Sequence, residues 1–226
     1  MTDIAVPRPS RRRRGRPARL DRVSILAAAA QLDAEALTMP ALADTLGVST
    51  QALYRYFPNK RMLLDALCES ELQRIDLPDR DHTGWREWLT AIATAYRGLG
   101  ADYPHLLEAD PASLRAASVR IIDDTLQVMR EHGFAADQAL RAYELMATVG
   151  FFASLAARRY RSRDRLSNAT VDHVLADTAT PSRHHEAISA FFLNYDLERH
   201  FRLQVDTVLD GIAAQLLHRR QEPSVP

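Results

Sequence analysis

Four side chains that can contact bases or phosphates lie within six residues of one another, at Thr50, Gln51, Tyr54 and Arg55. Glutamine can form two hydrogen bonds with adenine, and arginine can do the same with guanine. Hydroxyl groups instead bind phosphates, which positions a protein on the duplex without reading its sequence. In a helix, these four residues share the outer face of the first turn and a half. The pattern therefore indicates a helix that reads base edges in the major groove of double-stranded DNA.

The surrounding residues predict two short helices joined by a tight turn. Apolar residues keep a helical spacing that is interrupted only at Gly47; they are Leu42, Ala43, Leu46, Val48, Ala52, Leu53 and Phe57. Glycine lacks a Cβ atom, so the chain can adopt a positive φ at Gly47 and reverse its direction. Ser49 or Thr50 can cap the second helix by accepting from its free N–H groups. We therefore predict helices over 40–46 and 50–56, which form a helix-turn-helix.

An arginine-rich segment precedes this motif. Residues 8–19 contain seven arginines and two prolines, a composition that buries too little apolar surface to offset the entropy of ordering. With Asp3 as their only acidic residue, residues 1–20 carry a formal charge of +6, so the rest of the neutral chain carries −6. We expect residues 1–20 to form a disordered arm. Its Arg14 and Arg16 resemble the Arg-Gly-Arg core of an AT-hook, which lies in a narrow A·T-rich minor groove.

The remaining chain predicts helices and no strands, so the expected fold class is all-α. A proline-containing, acidic break at residues 75–82 separates an expected DNA-binding domain at 21–75 from a helical domain at 83–220. Residues 162–183 are polar and irregular. Apolar residues at three- and four-residue steps predict the other helices, over 21–32, 60–74, 85–99, 111–132, 137–161 and 196–218.

Residues 21–70 resemble the tetracycline-repressor (TetR/AcrR) family of bacterial transcription factors. The matching pattern is Leu-Thr-x-x-x-Leu-Ala-x-x-Leu-Gly-Val-Ser, then Ala-Leu-Tyr-Arg-Tyr-Phe, then Asn-Lys-Arg-x-Leu-Leu. The resemblance implies a three-helix helix-turn-helix domain and a C-terminal domain for ligand binding and dimerisation. It also implies that an effector spreads the two DNA-reading heads of the dimer.

The resemblance also assigns roles to residues of the motif. Thr50, Gln51 and Arg55 look like base-edge readers, and Ala52 is small enough to contact a thymine methyl group. Phosphate contacts are implied for Thr38, Ser49, Tyr54, Tyr56 and Lys60. A homodimer is expected through helices 137–160 and 196–218. The long helix that contains Gly150 and Phe151, together with the long terminal helix, resembles the four-helix dimer interface of the family. The terminal helix carries the apolar stripe Phe201, Val205, Val208 and Ile212, which we expect at the interface.

Aromatic and sulfur-containing side chains of the second domain are candidates for an effector pocket, because such pockets are mostly apolar with a few polar anchors. Taken singly, each such residue is more often ordinary core than a ligand contact. The candidates are Trp85, Trp88, Tyr96, Tyr103, Met129, Met146 and Phe151, with His105 and Tyr143 as polar anchors. This lining favours an uncharged or weakly polar, hydrophobic effector.

Several other classes of protein are disfavoured. The 226-residue chain has 46% hydrophobic residues but no apolar run long enough to span a bilayer and no secretory signal, so we expect a cytoplasmic protein without membrane contact. Cys68 is the single cysteine, which excludes an internal disulfide. The eight histidines, including His184 and His185, lack ligand spacing, so no metal and no cofactor is expected.

Three functions follow in order of preference. The first is a repressor that a small hydrophobic effector releases from a palindromic operator. The second is an architectural DNA-binding protein that needs no effector. The third, an enzyme, is disfavoured because the chain shows no phosphate-binding glycine loop, nucleophile elbow or metal motif. An apolar cavity of ligand size in the helical domain would distinguish the first function from the second.

Overall fold

The computed structural model describes residues 20–33, 36–104, 110–162, 183–193 and 196–221. All regular structure in these ranges is helical, so the prediction of an all-α fold is confirmed. The helices are α1 (Arg22–Ala30), α2 (Met39–Leu46), α3 (Thr50–Tyr54), α4 (Lys60–Gln73), α5 (Trp85–Asp102), α6 (Pro111–Ala117), α7 (Val119–Glu131), α8 (Ala136–Ser162), α9 (His185–Leu193) and α10 (Leu197–Gln221).

Side-chain caps fix where the first four helices begin. Asp21, Thr38, Ser49 and Asn59 precede α1, α2, α3 and α4, and each side chain accepts from the backbone N–H three residues later. Each cap satisfies a donor that the helix itself leaves without a partner. Gly47 ends α2 with φ 65°, as the turn prediction requires. These signals are local, which is why the sequence predicted all four helices.

Helices α5 and α8 form the centre of the second domain and approach each other unusually closely. A Cβ atom at Gly150 of α8 would lie only 2.1 Å from the carbonyl oxygen of Ala93 in α5. A Cβ atom at Gly100 of α5 would lie 2.2 Å from the hydroxyl oxygen of Ser154 in α8. Gly150 is therefore buried within the protomer, against the backbone of α5.

Helix α10 differs from the prediction. Phe201, Val205 and Ile212 are 3–5% exposed, and Val208 is half-buried against the same core. Arg97 of α5 stacks over Phe201 at 4.4 Å and forms an ion pair with Glu198 at 2.7 Å. The stripe was predicted as a face left open for a partner subunit, and this is wrong because the protomer's own helices cover it.

Three boundaries in the second domain were not predicted. Helix α5 continues through Gly98 and Gly100 to Asp102, because packing outweighs the roughly 1 kcal/mol helix penalty of a glycine. The expected helix 111–132 is divided at Ser118 into α6 and α7. Helix α9 had no counterpart in the prediction. Residues 1–19 of the arm expected over 1–20, and most of the irregular segment 162–183, lie outside the described residues.

Candidate DNA interface and ligand cavity

Helix α3 is held by its apolar side and presents its polar side to solvent. Leu53 is fully buried, and Phe57, just after the helix, is 1% exposed. These two anchors fix the rotation of α3 about its own axis. Gln51, Tyr54 and Arg55 are consequently all exposed, as a helix that enters a major groove requires.

The other residues expected to contact DNA surround this face in different environments. Thr50 and Ala52 are half-buried, while Thr38 and Ser49 are exposed. The Ser49 hydroxyl accepts from the Ala52 N–H, and that of Thr38 accepts from the Ala41 N–H, each at 3.2 Å. A hydroxyl that accepts at a cap still has its own proton to donate to a phosphate. Capping and phosphate binding are therefore compatible at both residues.

Tyr56 has a structural partner that sequence reasoning missed. Its hydroxyl donates to the Leu20 carbonyl at 2.7 Å, and its own carbonyl accepts from Arg22 at 3.0 Å. The Arg22 guanidinium also stacks over the Phe57 ring at 4.4 Å. Tyr56 thus ties the start of α1 to the end of α3. No signal near Arg22 in the sequence pointed to these contacts, because they span more than 30 residues.

The remaining expected DNA contacts are Lys60 and the two arginines of the arm. Lys60 is the first residue of α4 and is half-buried beside the capping residue Asn59, whose side chain accepts from the Met62 N–H at 2.9 Å. This cap holds the N-terminus of α4 next to α3. Arg14 and Arg16 of the arm lie outside the described residues.

A cavity of about 370 Å³ opens between α5, α6, α7 and α8. Three of the predicted effector contacts, Tyr96, Tyr143 and Phe151, line it. Its further apolar lining includes Leu114, Ile122 and Ala147, which sequence reasoning did not select. Their small or aliphatic side chains resemble those of any helix core, so only the tertiary structure distinguishes them.

The structure does not bring the other predicted effector contacts into this cavity. Trp88, Met129 and Met146 are at most 1% exposed, and the Trp88 indole N–H donates to the Thr125 hydroxyl at 3.0 Å. These residues are core. The other two described candidates lie elsewhere: the Trp85 ring packs edge-on against Phe134 with centroids 5.1 Å apart, and Tyr103 contacts Glu71 of α4. His105 lies outside the described residues.

Helix α6 connects the cavity to the DNA-binding domain. Its residues Pro111 and Leu114 line the cavity, while the backbone N–H of Asp110, just before α6, donates to the Asp65 carboxylate of α4 at 2.9 Å. The Asp110 carboxylate forms an ion pair with Arg61 of α4 at 3.1 Å. A movement of α6 would therefore act directly on α4, the helix that follows the recognition helix.

Glu71 and Tyr103 provide a second contact between the two domains. Glu71 of α4 is 7% exposed, pairs with Arg74 at 2.7 Å and forms a hydrogen bond with the Tyr103 hydroxyl. Burial raises the pKa of Tyr103, and the hydrogen bond to the Glu71 carboxylate raises it further. Tyr103 therefore stays protonated and donates to Glu71, so it joins the end of α5 to α4.

Cys68 is buried in α4 at the centre of the first domain. Burial raises the pKa of its thiol to about 12, and the nearby charges of Asp65 and Glu69 act in the same direction. The thiolate is the reactive form of cysteine, so this side chain is inert at neutral pH. Within the described residues, no group of three or more His, Cys, Asp or Glu side chains could hold a metal ion. No helix there is both long and apolar enough to cross a membrane.

The chain matches two family models. The model of bacterial regulatory proteins of the tetR family matches residues 25–67, and that of the tetracyclin repressor-like C-terminal domain matches residues 77–216. The second match spans 140 of the 226 residues, which is more than half of the chain.

Curated relatives have similar descriptions. Tetracycline repressor protein class C of Escherichia coli is 35% identical over 146 residues, which are 60% of this chain and 66% of that protein, just under two thirds of its length. HTH-type transcriptional repressor DrrR1 of Streptomyces coeruleorubidus is 28% identical over 220 residues, which are 90% of this chain and 80% of the repressor. Nucleoid occlusion factor SlmA of Cronobacter sakazakii is 33% identical over 153 residues, which cover 58% of this chain and 76% of SlmA.

Solved structures show the same fold. A candidate TetR family transcriptional regulator from Streptomyces coelicolor A3(2) superposes with a TM-score of 0.66 at 26% identity, covering 86% of this chain and 99% of that one. The S. coelicolor TetR family protein ActR, in complex with actinorhodin, has a TM-score of 0.71 at 20% identity, and the match covers 88% of this chain and 99% of ActR. Matched over both domains, the chain belongs to the tetR family of bacterial regulatory proteins, which are DNA-binding transcriptional regulators and not enzymes.

Proposed function

We propose that the protein represses transcription as a homodimer on a palindromic operator and leaves the DNA when a small hydrophobic effector fills the cavity. The cavity itself is the observation that carries this proposal. Its volume of about 370 Å³ lies within the usual range for ligand sites, roughly 300–1,000 Å³. Two relatives are named as repressors, and structures of two proteins with this fold contain minocycline and actinorhodin.

The exposed face of α3 supports the DNA-reading part of the proposal. Gln51 and Arg55 read base edges with Thr50, while Ala52 contacts a thymine methyl group. We assign phosphate contacts to Thr38, Ser49, Tyr54 and Lys60, and minor-groove contacts to Arg14 and Arg16. The contact between the Tyr56 hydroxyl and Leu20 supports a different role for Tyr56, that of holding the reading head together.

The contacts of α6 support a route from the cavity to the DNA. A ligand changes DNA affinity only if it binds one arrangement of the dimer better than the other. An effector beside Leu114 would displace α6, and the contacts of Asp110 with Arg61 and Asp65 would pass that displacement to α4. The two recognition helices would then no longer match successive major grooves, which are about 34 Å apart.

The second candidate function is DNA binding without an effector, and one relative, SlmA, is named as a nucleoid occlusion factor and not as a repressor. This candidate predicts no ligand cavity, which the cavity between α5 and α8 counts against, and weak discrimination between DNA sequences. A selection from random duplexes with the full-length protein separates the two. A palindromic consensus would support the repressor, whereas the absence of any consensus would support the alternative.

Filling the cavity tests its role. Phe151 is half-buried and lines the cavity, so Phe151→Trp is expected to extend the ring into empty space and leave both the melting temperature and operator binding unchanged. Met146→Trp is the matched control, because Met146 lies on the same helix but is fully buried outside the cavity. We expect it to cost about 1–3 kcal/mol through overpacking. Thermal melting measures both variants. If both are destabilised equally, Phe151 is part of the core and does not belong to the ligand site.

The exposed apolar residues of α8 and α10 predict which faces form the dimer. Leu145 and Phe152 of α8 are 47% and 63% exposed, and Leu203 of α10 is 52% exposed. Such side chains commonly mark a subunit interface. We expect Leu203→Asp to give a folded monomer at micromolar concentration, whereas Val205→Asp, at a residue that is 3% exposed, should unfold the protein. Sedimentation and circular dichroism distinguish these results, and a dimeric Leu203→Asp variant would place the interface elsewhere.

A further inference from the structure

Three hydroxyl groups in the wall of the cavity form one connected chain. The Tyr143 hydroxyl lies 2.5 Å from that of Tyr96, and the Tyr96 hydroxyl lies 2.9 Å from the Ser118 hydroxyl. The Ser118 hydroxyl in turn lies 2.9 Å from the backbone carbonyl of Leu114. Tyr96 and Ser118 are 4% and 2% exposed, whereas Tyr143 is half-buried at the cavity wall.

The carbonyl at one end fixes the direction of every hydrogen bond in this chain. A carbonyl can only accept, so Ser118 donates its single proton to Leu114. Ser118 must then accept from Tyr96, and Tyr96, whose proton is used, must accept from Tyr143. The reverse direction would place two acceptor oxygens against each other at Leu114. The proton of Tyr143 therefore points away from the cavity, and its oxygen retains a lone pair that no other described residue uses.

Burial keeps this arrangement intact. The pKa of Tyr96 is raised well above its ordinary value, chiefly because burial disfavours the phenolate. Tyr96 therefore remains a donor throughout the physiological pH range. The Tyr96 and Tyr143 rings pack edge to face with centroids 6.1 Å apart, and this packing keeps the two hydroxyls within hydrogen-bond distance.

We propose that the cavity selects an uncharged, hydrophobic molecule that carries a hydrogen-bond donor, such as a phenolic hydroxyl, and that this donor pairs with the Tyr143 oxygen. The inference rests on the proposed function, because it names the class of effector for the same cavity. The two charged residues of the lining, Arg115 and Glu144, are exposed and of opposite sign, so they favour neither an anion nor a cation. A molecule whose polar atoms only accept would leave the Tyr143 oxygen unpaired.

Two probes with the same ring system, of which one has a hydroxyl group and the other its methyl ether, test this inference, and Tyr143→Phe separates the loss of the donor from the added methyl group. The full-length protein is titrated calorimetrically with 2-naphthol, whose hydroxyl donates, and with 2-methoxynaphthalene, whose oxygen only accepts. We expect 2-naphthol to bind about tenfold more tightly, the ratio that one hydrogen bond supplies. Tyr143→Phe should abolish this preference by weakening the binding of 2-naphthol.

Ser118→Ala provides the matched variant at the other end of the chain. Without Ser118, Tyr96 can donate to Tyr143, and Tyr143 can donate into the cavity. We therefore expect Ser118→Ala to reduce the preference by strengthening the binding of 2-methoxynaphthalene. If Ser118 had only a structural role, Ser118→Ala would weaken the binding of both probes equally. That result would overturn the proposed direction of the hydrogen bonds.

The Phe151→Trp variant separates failure of this inference from failure of the proposed function. If both probes bind equally well and Phe151→Trp blocks them, the donor requirement is wrong and the cavity remains a ligand site. If neither probe binds, or if Phe151→Trp leaves their binding unchanged, the cavity is not the site. The proposed function then fails, and the inference fails with it.

Discussion

Replacing Gly150 with alanine is expected to destabilise the protein by about 3 kcal/mol, at the upper end of the range for overpacking. The added Cβ atom would lie 2.1 Å from the Ala93 carbonyl oxygen and 3.0 Å from the Arg97 backbone nitrogen. Both neighbours are backbone atoms of α5, so no flexible side chain can move aside. Helices α5 and α8 would have to separate along their contact, which the close-packed core does not tolerate. Urea unfolding measures the change.

Gly98→Ala is the matched control on the other helix of the pair. Apart from its chain neighbours and the backbone of its own helix, no atom lies within 4 Å of a Cβ atom built at Gly98, which is exposed in α5. Alanine is favoured over glycine inside a helix by about 1 kcal/mol, so we expect this variant to be more stable than the wild type. If both variants were equally stable, close approach of α5 and α8 would not be a feature of the folded protein.

The second large effect concerns DNA recognition. Gln51→Ala and Arg55→Ala are each expected to cost roughly 1–3 kcal/mol per half-site and to relax specificity at one symmetric pair of operator positions. The reason is that a base-edge contact discriminates between bases, and the dimer makes each contact twice. Selection of binding sites from random duplexes with each variant measures both the position and the extent of the change.

Lys60→Ala is the comparison for these variants. A phosphate contact carries no sequence information, so its loss should weaken binding to all sequences alike. Because the dimer loses two such contacts, we expect the slope of log K against log salt to fall by about two units, roughly 0.9 for each contact. An Arg55→Ala variant that kept the wild-type base preferences would show that Arg55 contacts phosphate or solvent. The reading face of α3 would then have to be reassigned.

The two domains differ in how far the sequence predicted them. In the first domain, caps at Ser49 and Asn59 and the turn at Gly47 act within a few residues, so their signals are visible in the chain itself. In the second domain, Trp88 and Tyr96 lie on the same helix and have the same periodicity. Only the neighbours contributed by α6, α7 and α8 decide that Trp88 is core and that Tyr96 lines the cavity.

The misassigned stripe on α10 has the same physical origin. A hydrophobic face predicts burial but does not indicate which surface covers it, so Phe201 and Val205 were expected against a partner and are covered by their own protomer. The hydroxyl chain was also beyond sequence reasoning. Ser118 is 22 residues from Tyr96, and a serine inside a predicted helix gives no sign of a partner at that distance.

The contact between Tyr56 and Leu20 has a further consequence for binding. Because Tyr56, two residues beyond the recognition helix, holds the Leu20 carbonyl, the chain that precedes Leu20 starts from a fixed point on the reading head. If Arg14 and Arg16 contact the minor groove as proposed, a head docked in the major groove would present them to the adjoining groove at a high effective concentration, because their binding would be intramolecular. On that proposal the two DNA contacts would depend on each other. An effector that withdrew the reading head would also withdraw the arginines from the minor groove, so DNA affinity would fall by more than the loss of either contact alone.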